Sequence, residues 1–202
     1  MPRLARIAAP LAFVLALFVQ GDALAATSNV TMTNYVFTPN ISKIKLGDTV
    51  MWTNNAPITS HTSTSDSPLI LWDSGSVPPA GTFSFTFTAA GIYPYHCTFH
   101  VLSGMKGTVG LKDTVTPPSG PVGTKFTVKV ATINAPAGFV YDIQKRNPGG
   151  SFLDWMLGVT TLSVMFDSTG QPMGTYQFRS RLHNTATGAT SGYSPGTSAT
   201  VT

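Results

Sequence analysis

Residues 91–109 read GIYPYHCTFHVLSGMKGTV, and this stretch decides the fold. Ile92-Tyr93-Pro94-Tyr95-His96-Cys97 reads as a strand, with Pro94 suited to an edge or a local bend. Gly107-Thr108-Val109-Gly110-Leu111 reads as the strand that closes the domain. Between them, a strand ends at Cys97, a tight loop carries His100, and Met105 opens the next strand. The spacing is C-x2-H-x4-M, so a thiolate, an imidazole and a thioether leave one loop together.

Working outward, every neighbouring segment is short and strand-like. Phe83, Phe85 and Phe87 alternate with Ser84 and Thr86, which signals a half-buried strand. Val50-Met51-Trp52-Thr53-Asn54 follows the turn Gly47-Asp48. Val30-Thr31-Met32 alternates, and Tyr35-Val36-Phe37 precedes the turn Thr38-Pro39-Asn40. Residues 55–81 are a long irregular stretch with four prolines. Composition agrees: 10% of the residues are charged, all eight acids are Asp, and Thr, Ser, Gly and Pro abound, a mix that favours strands and turns over helices.

The first 25 residues read as a secretory leader. Arg3 and Arg6 precede the apolar run Ile7 to Val19, and Ala23-Leu24-Ala25 is a small-x-small cleavage pattern. The run is shorter than the roughly 20 residues of a spanning helix, so no transmembrane segment is expected in the mature chain. Export implies a periplasmic, cell-surface or extracellular protein. In such compartments disulfides are common, yet there is one cysteine. A lone thiol there needs protection by burial or by a metal.

DTVTPPSGPVG at 113–123 reads as a linker, with low helix and strand potential. The expected domains are 26–112 and 124–202. In the second, Phe126, Val128 and Val130 alternate with polar residues, as do Leu162, Val164 and Phe166. Tyr176, Phe178, Ser180 and Leu182 form one face of a strand. Gln177, Arg179, Arg181 and His183 form the other, where His183 is expected to face solvent. Trp155, with Phe152 and Leu153, is expected in the core. Several short strands at this spacing imply an antiparallel sandwich, so the fold class is all-β, with two β-sandwiches.

Charge excludes little but says something. Lys43, Lys45, Lys106 and Lys112 balance Asp48, Asp66, Asp73 and Asp113 in the first domain. The excess lies in the second, in Lys125, Lys129, Lys145, Arg146, Arg179 and Arg181. These bases are scattered along strands and not clustered, which fits solubility and not nucleic-acid binding.

The site is predicted from chemistry. A trigonal His2Cys set with a long axial Met marks a blue-copper electron-transfer centre. Cys97, His100 and Met105 supply three of the four groups. With four histidines in the chain, His61, in the loop after the Val50–Asn54 strand, is the candidate for the second imidazole. His96 points away from Cys97 by the period of two and reads as a surface or structural residue. Backbone N–H groups next to Cys97 and near Asn54 and Thr62 are candidates to tune the metal through hydrogen bonds to the sulfur and to the distal side of each imidazole.

LGDTVMWTNN, SHT around His61, WDSG at 72–75, GTFSFTF and the 91–109 stretch together make residues 29–112 resemble the cupredoxin family, in its plastocyanin-like branch. The resemblance implies a Greek-key sandwich with one copper at one end, cycling between Cu(I) and Cu(II). It makes His61, Cys97 and His100 the equatorial metal ligands and Met105 the axial one. The stretch from His61 to Phe83 is longer and richer in Pro than a minimal member's. GTYQFRSRLHN at 174–184 and SGYSPGTSATV at 191–201 resemble fibronectin type III or immunoglobulin-like domains, with Tyr176 as a tyrosine-corner residue.

The expected function is single-electron transfer between redox partners outside the cytoplasm, with transient docking near His100 through Pro57, Ile58, Val101 and Leu102. The alternative is copper binding, delivery or storage without a carrier role. An enzyme is not expected: a second copper centre would need more histidines than His96 and His183 supply.

Overall fold

A computed structural model of the chain describes residues 25–202. The leader expected at 1–25 therefore lies outside the described residues, apart from Ala25. Among the described residues the only helical element is a 3-10 turn, Val101–Ser103, and no helix is long and apolar enough to cross a membrane.

The first unit comprises β1 (Thr27–Thr33), β2 (Val36–Thr38), β3 (Ile41–Ile44), β4 (Thr49–Asn54), β5 (Thr64–Ser65), β6 (Thr82–Thr86), β7 (Gly91–His96) and β8 (Lys106–Leu111). They form two four-stranded sheets, ordered β2-β1-β4-β6 and β3-β8-β7-β5. β1 runs parallel to β4, and β3 parallel to β8. In β4, buried Val50, Trp52 and Asn54 alternate with less buried neighbours, because a pleated strand sends successive side chains to opposite faces. The inner faces meet over Val30, Val50, Trp52, Tyr95, Val109 and Leu111. The irregular stretch before β6 adds Trp72, whose ring stacks on Trp52 with centroids 5.9 Å apart and whose Nε1–H donates to Ser63 Oγ. At the start of the unit the Ala26 N–H donates to Asp48 Oδ1 at 2.8 Å, and Thr49 N–H to the Ala26 carbonyl at 2.9 Å.

The second unit comprises β9 (Thr114–Thr116), β10 (Ser119–Gly120), β11 (Lys125–Lys129), β12 (Phe139–Arg146), β13 (Phe152–Val159), β14 (Ser163–Asp167), β15 (Gly174–Asn184) and β16 (Thr197–Val201). A five-stranded sheet, β10-β16-β15-β12-β13, packs with a three-stranded one, β14-β11-β9. Phe126, Val128, Tyr141, Phe166, Tyr176 and Phe178 fill the space between them. The Tyr176 hydroxyl donates to the Pro172 carbonyl at 2.8 Å, the upstream backbone bond that a tyrosine corner makes.

Three readings need correction here. Residues 113–123 hold β9 and β10, which join the second unit's two sheets; long-range pairing overrides weak local propensity. His183 is not free in solvent, since its Nδ1 lies 3.0 Å from Oδ2 of buried Asp142. Leu153 is exposed, while Trp155 is half-buried against the core.

The two units are joined by more than a chain crossing. Ala90 N–H donates to the Val130 carbonyl, Thr132 N–H to the Thr88 carbonyl, and Ile92 and Gly192 exchange both backbone bonds. Asp113, buried at this junction, accepts hydrogen bonds from the Ser180 and Ser194 hydroxyls. Burial pushes its carboxyl up to about 6.

Candidate metal centre

The β7–β8 ladder builds most of the site. Its last pair is His96 with Lys106, and it continues one step further through Cys97 N–H donating to the Met105 carbonyl at 3.1 Å. Cys97 and Met105 therefore stand opposite one another, close enough for their side chains to share a face. The loop between them is closed on itself. His100 N–H donates to the Cys97 carbonyl, while Ser103 and Met105 N–H groups both reach the His100 carbonyl. Gly104 ends the 3-10 turn at φ 80°, a left-handed conformation that glycine adopts without steric cost. Gly107 is needed for a different reason: a Cβ there would run into the Tyr95 ring.

His61 arrives from the other side. Its backbone exchanges two hydrogen bonds with Val77. Asn54, wholly buried, donates from Nδ2 to the Thr59 and Val77 carbonyls and accepts from Ala56 N–H, so one amide clamps the loop that carries His61. Thr62 joins the two ligand segments. Its N–H donates to Cys97 Sγ at 3.3 Å, and its hydroxyl accepts Thr98 N–H at 2.8 Å.

Three donor atoms converge as a result. His61 Nδ1 and His100 Nδ1 are 3.1 Å apart, and Cys97 Sγ lies 3.3 Å from His100 Nδ1 and 3.8 Å from His61 Nδ1. A first-row metal ion held about 2.0–2.3 Å from nitrogen and sulfur spaces its donors by about 3–4 Å, so the set fits one ion. Burial first, and then the neighbouring His100, hold the His61 pKa below its ordinary value, which keeps the imidazole neutral, the form that binds metal. His61, Cys97 and Met105 are wholly buried, whereas His100 is partly exposed. Soft sulfur with two imidazoles is a donor set suited to copper.

The expected tuning bonds are partly present. The Cys97 sulfur has its backbone donor in Thr62, but His61 Nε2 is buried with no hydrogen-bond partner among the described residues. Near Asn54 the side chain does the organising, since its N–H is engaged with Gly81. His96 lies outside the cluster and bonds Asp66 at 2.6 Å. One residue escaped the sequence reading. Tyr35, expected in a strand, sits in the β1–β2 turn at φ 62°, and its ring lies 4.4 Å from that of His100. The preceding Asn34, a residue that tolerates left-handed backbone, was the available signal.

The sequence comparisons fall on the same part of the chain. The model of the family described as copper binding proteins, plastocyanin/azurin family, matches residues 24–112. A plastocyanin from Scenedesmus fuscus is 33% identical over 90 residues, spanning 37% of this chain and 84% of that one. Among solved structures, a purple cupredoxin from Nitrosopumilus maritimus shares 25% identity at a TM-score of 0.38, covering 42% of this chain and 98% of that one. A reduced Cu(I) form of an amicyanin variant shares 26% identity at 0.39, covering 46% and 87%. Copper is the metal these relationships assign to the chain. With a donor set that fits one ion and a plastocyanin matched over most of its length, the chain belongs to the plastocyanin/azurin family of copper-binding proteins.

Proposed function

We propose that residues 26–112 form a single-electron carrier domain in which His61, Cys97, His100 and Met105 hold one copper ion. The convergence of two imidazole nitrogens and one thiol sulfur on a point carries this reading. Copper supplies a one-electron couple, Cu(I)/Cu(II). The protein's part is to hold the ligands still: the closed 97–105 loop, the Asn54 clamp and the Thr62 bonds leave little room for rearrangement when the charge changes.

Electrons would pass through the partly exposed His100. The Tyr35 and Phe99 rings lie near it, each about half exposed, and the next residues, Val101 and Leu102, are 36% and wholly exposed; Ile58, of the expected docking set, is also almost wholly exposed. An apolar rim of this size suits a weak, transient complex with a redox protein. The balanced charge of the domain favours docking by shape, so the transfer rate should depend little on salt. The leader reading supports a carrier working outside the cytoplasm, with residues 124–202 as a spacer or stabilising module.

Adding Cu(II) to metal-free protein should give an intense visible band, narrow copper hyperfine splitting and one copper per chain. Cys97→Ser should remove the band entirely. Two coppers per chain would overturn the carrier reading. Transfer of the metal to a chelator faster than electron exchange would support delivery instead.

A further inference from the structure

Away from the metal, where β3 and β8 meet β11 of the second unit, the surface opens into a cleft of about 960 Å³. Lys43, Lys45, Lys112 and Lys129 line it, and no carboxylate among the described residues does. Its apolar part is made by Ile41, Ile44, Leu46 and Ile92. Separated by up to 86 positions, these four lysines are brought together by the parallel β3–β8 pairing and by the junction. None of them forms an ion pair among the described residues.

Such a grouping is not what a solvent face requires. Solubility is served by mixed signs on convex surface, whereas four ammonium groups around one concavity repel each other, and none is ion-paired among the described residues. A pocket of this volume, concave, largely apolar and set at a domain junction, has the form of a small-molecule site. Among the described residues no aromatic ring lines it, so bases find no stacking platform there. We propose that this cleft binds an anionic amphiphile, an alkyl chain with a carboxylate or phosphate head. Its tail would lie against Ile41, Ile44 and Leu46. Its head would meet the lysine ammonium groups, whose flexible stems let charge and apolar contact be satisfied together. The ligand would touch both units at once. The proposal does not depend on the copper reading, because β8 carries the site about 17 Å along the sheet from Met105.

The test is titration calorimetry and amide NMR of the copper-loaded protein with laurate and with dodecyl phosphate. Binding of both, with shifts confined to β3, β8 and β11 and weakening as salt rises, is the expected result. K43Q/K112Q should weaken it at least about tenfold, the scale of two water-screened charge contacts. Lys125→Gln, outside the cleft, should leave it unchanged, and the visible copper band should persist in every variant. Vesicles containing phosphatidylglycerol separate the sources: binding to them as well as to the soluble amphiphiles assigns a membrane lipid, and binding to the soluble amphiphiles alone assigns a free one. Equal binding of an uncharged alkyl maltoside, equal binding of inorganic phosphate or of an acidic peptide, or no binding at all would overturn the proposal.

Discussion

The two ends of the first sandwich treat polar groups in opposite ways. At the metal end the donors, all but His100 wholly buried, are tied down by backbone bonds, from the Cys97–Met105 rung to the Asn54 clamp. At the junction end one carboxyl, Asp113, is buried between two hydroxyls, and beside it a cleft gathers four lysines with no ion-pair partner among the described residues. The first arrangement fixes geometry and meets solvent through His100 alone among its donors; the second leaves charge waiting for something to meet it. The difference teaches that rigidity and responsiveness are divided between the ends of one β-sandwich.

The largest effect that would sharpen this contrast lies at Asp113. Its carboxyl is held up to about 6, above 3.8 for an ordinary Asp, so folding takes up a proton between those values. Its contribution to stability is therefore complete below about pH 4 and is lost as pH rises through 6, by about 3 kcal/mol. Denaturant midpoints measured from pH 4 to 7 should show that fall, and Asp113→Asn should flatten it. A slope unchanged in the variant would break the comparison. A smaller effect is expected at the metal end, where Thr62→Val deprives Thr98 N–H of its acceptor at a cost of about 1 kcal/mol. No pH slope in that range should be altered, and equilibrium unfolding of the two variants side by side would show it. The smallest is Leu102→Asp on the exposed rim. Stability should stay within about 0.5 kcal/mol of the parent, while electron exchange with a redox partner slows; an unchanged exchange rate would remove this rim from the docking surface.

The sequence made the metal end legible because three of its four proposed ligands fall within nine residues, and a scarcity of histidine narrowed the fourth to His61. Alternation likewise revealed strands in both units, though not β5, β9, β10 or β13. What stayed hidden depends on contacts between distant segments. Tyr35 reached His100 only through a left-handed turn. The stretch 113–123 became strands because partners in the second unit captured it. Lys43, Lys45 and Lys112 were read as balanced by acids and Lys129 as one of several scattered bases, because the parallel β3–β8 pairing and the junction that gather them leave no local mark in a sequence.

The bond between Ala26 and Asp48 acquires a second meaning if the leader is cut after Ala25. In the uncut chain the nitrogen 2.8 Å from Asp48 Oδ1 is a neutral amide. After cleavage the same atom is a terminal ammonium, and a plain hydrogen bond becomes a charge-assisted one. Such a cut would thereby fasten the first strand to the β3–β4 turn with no change of position, so that one cleavage would also lock the domain's leading edge.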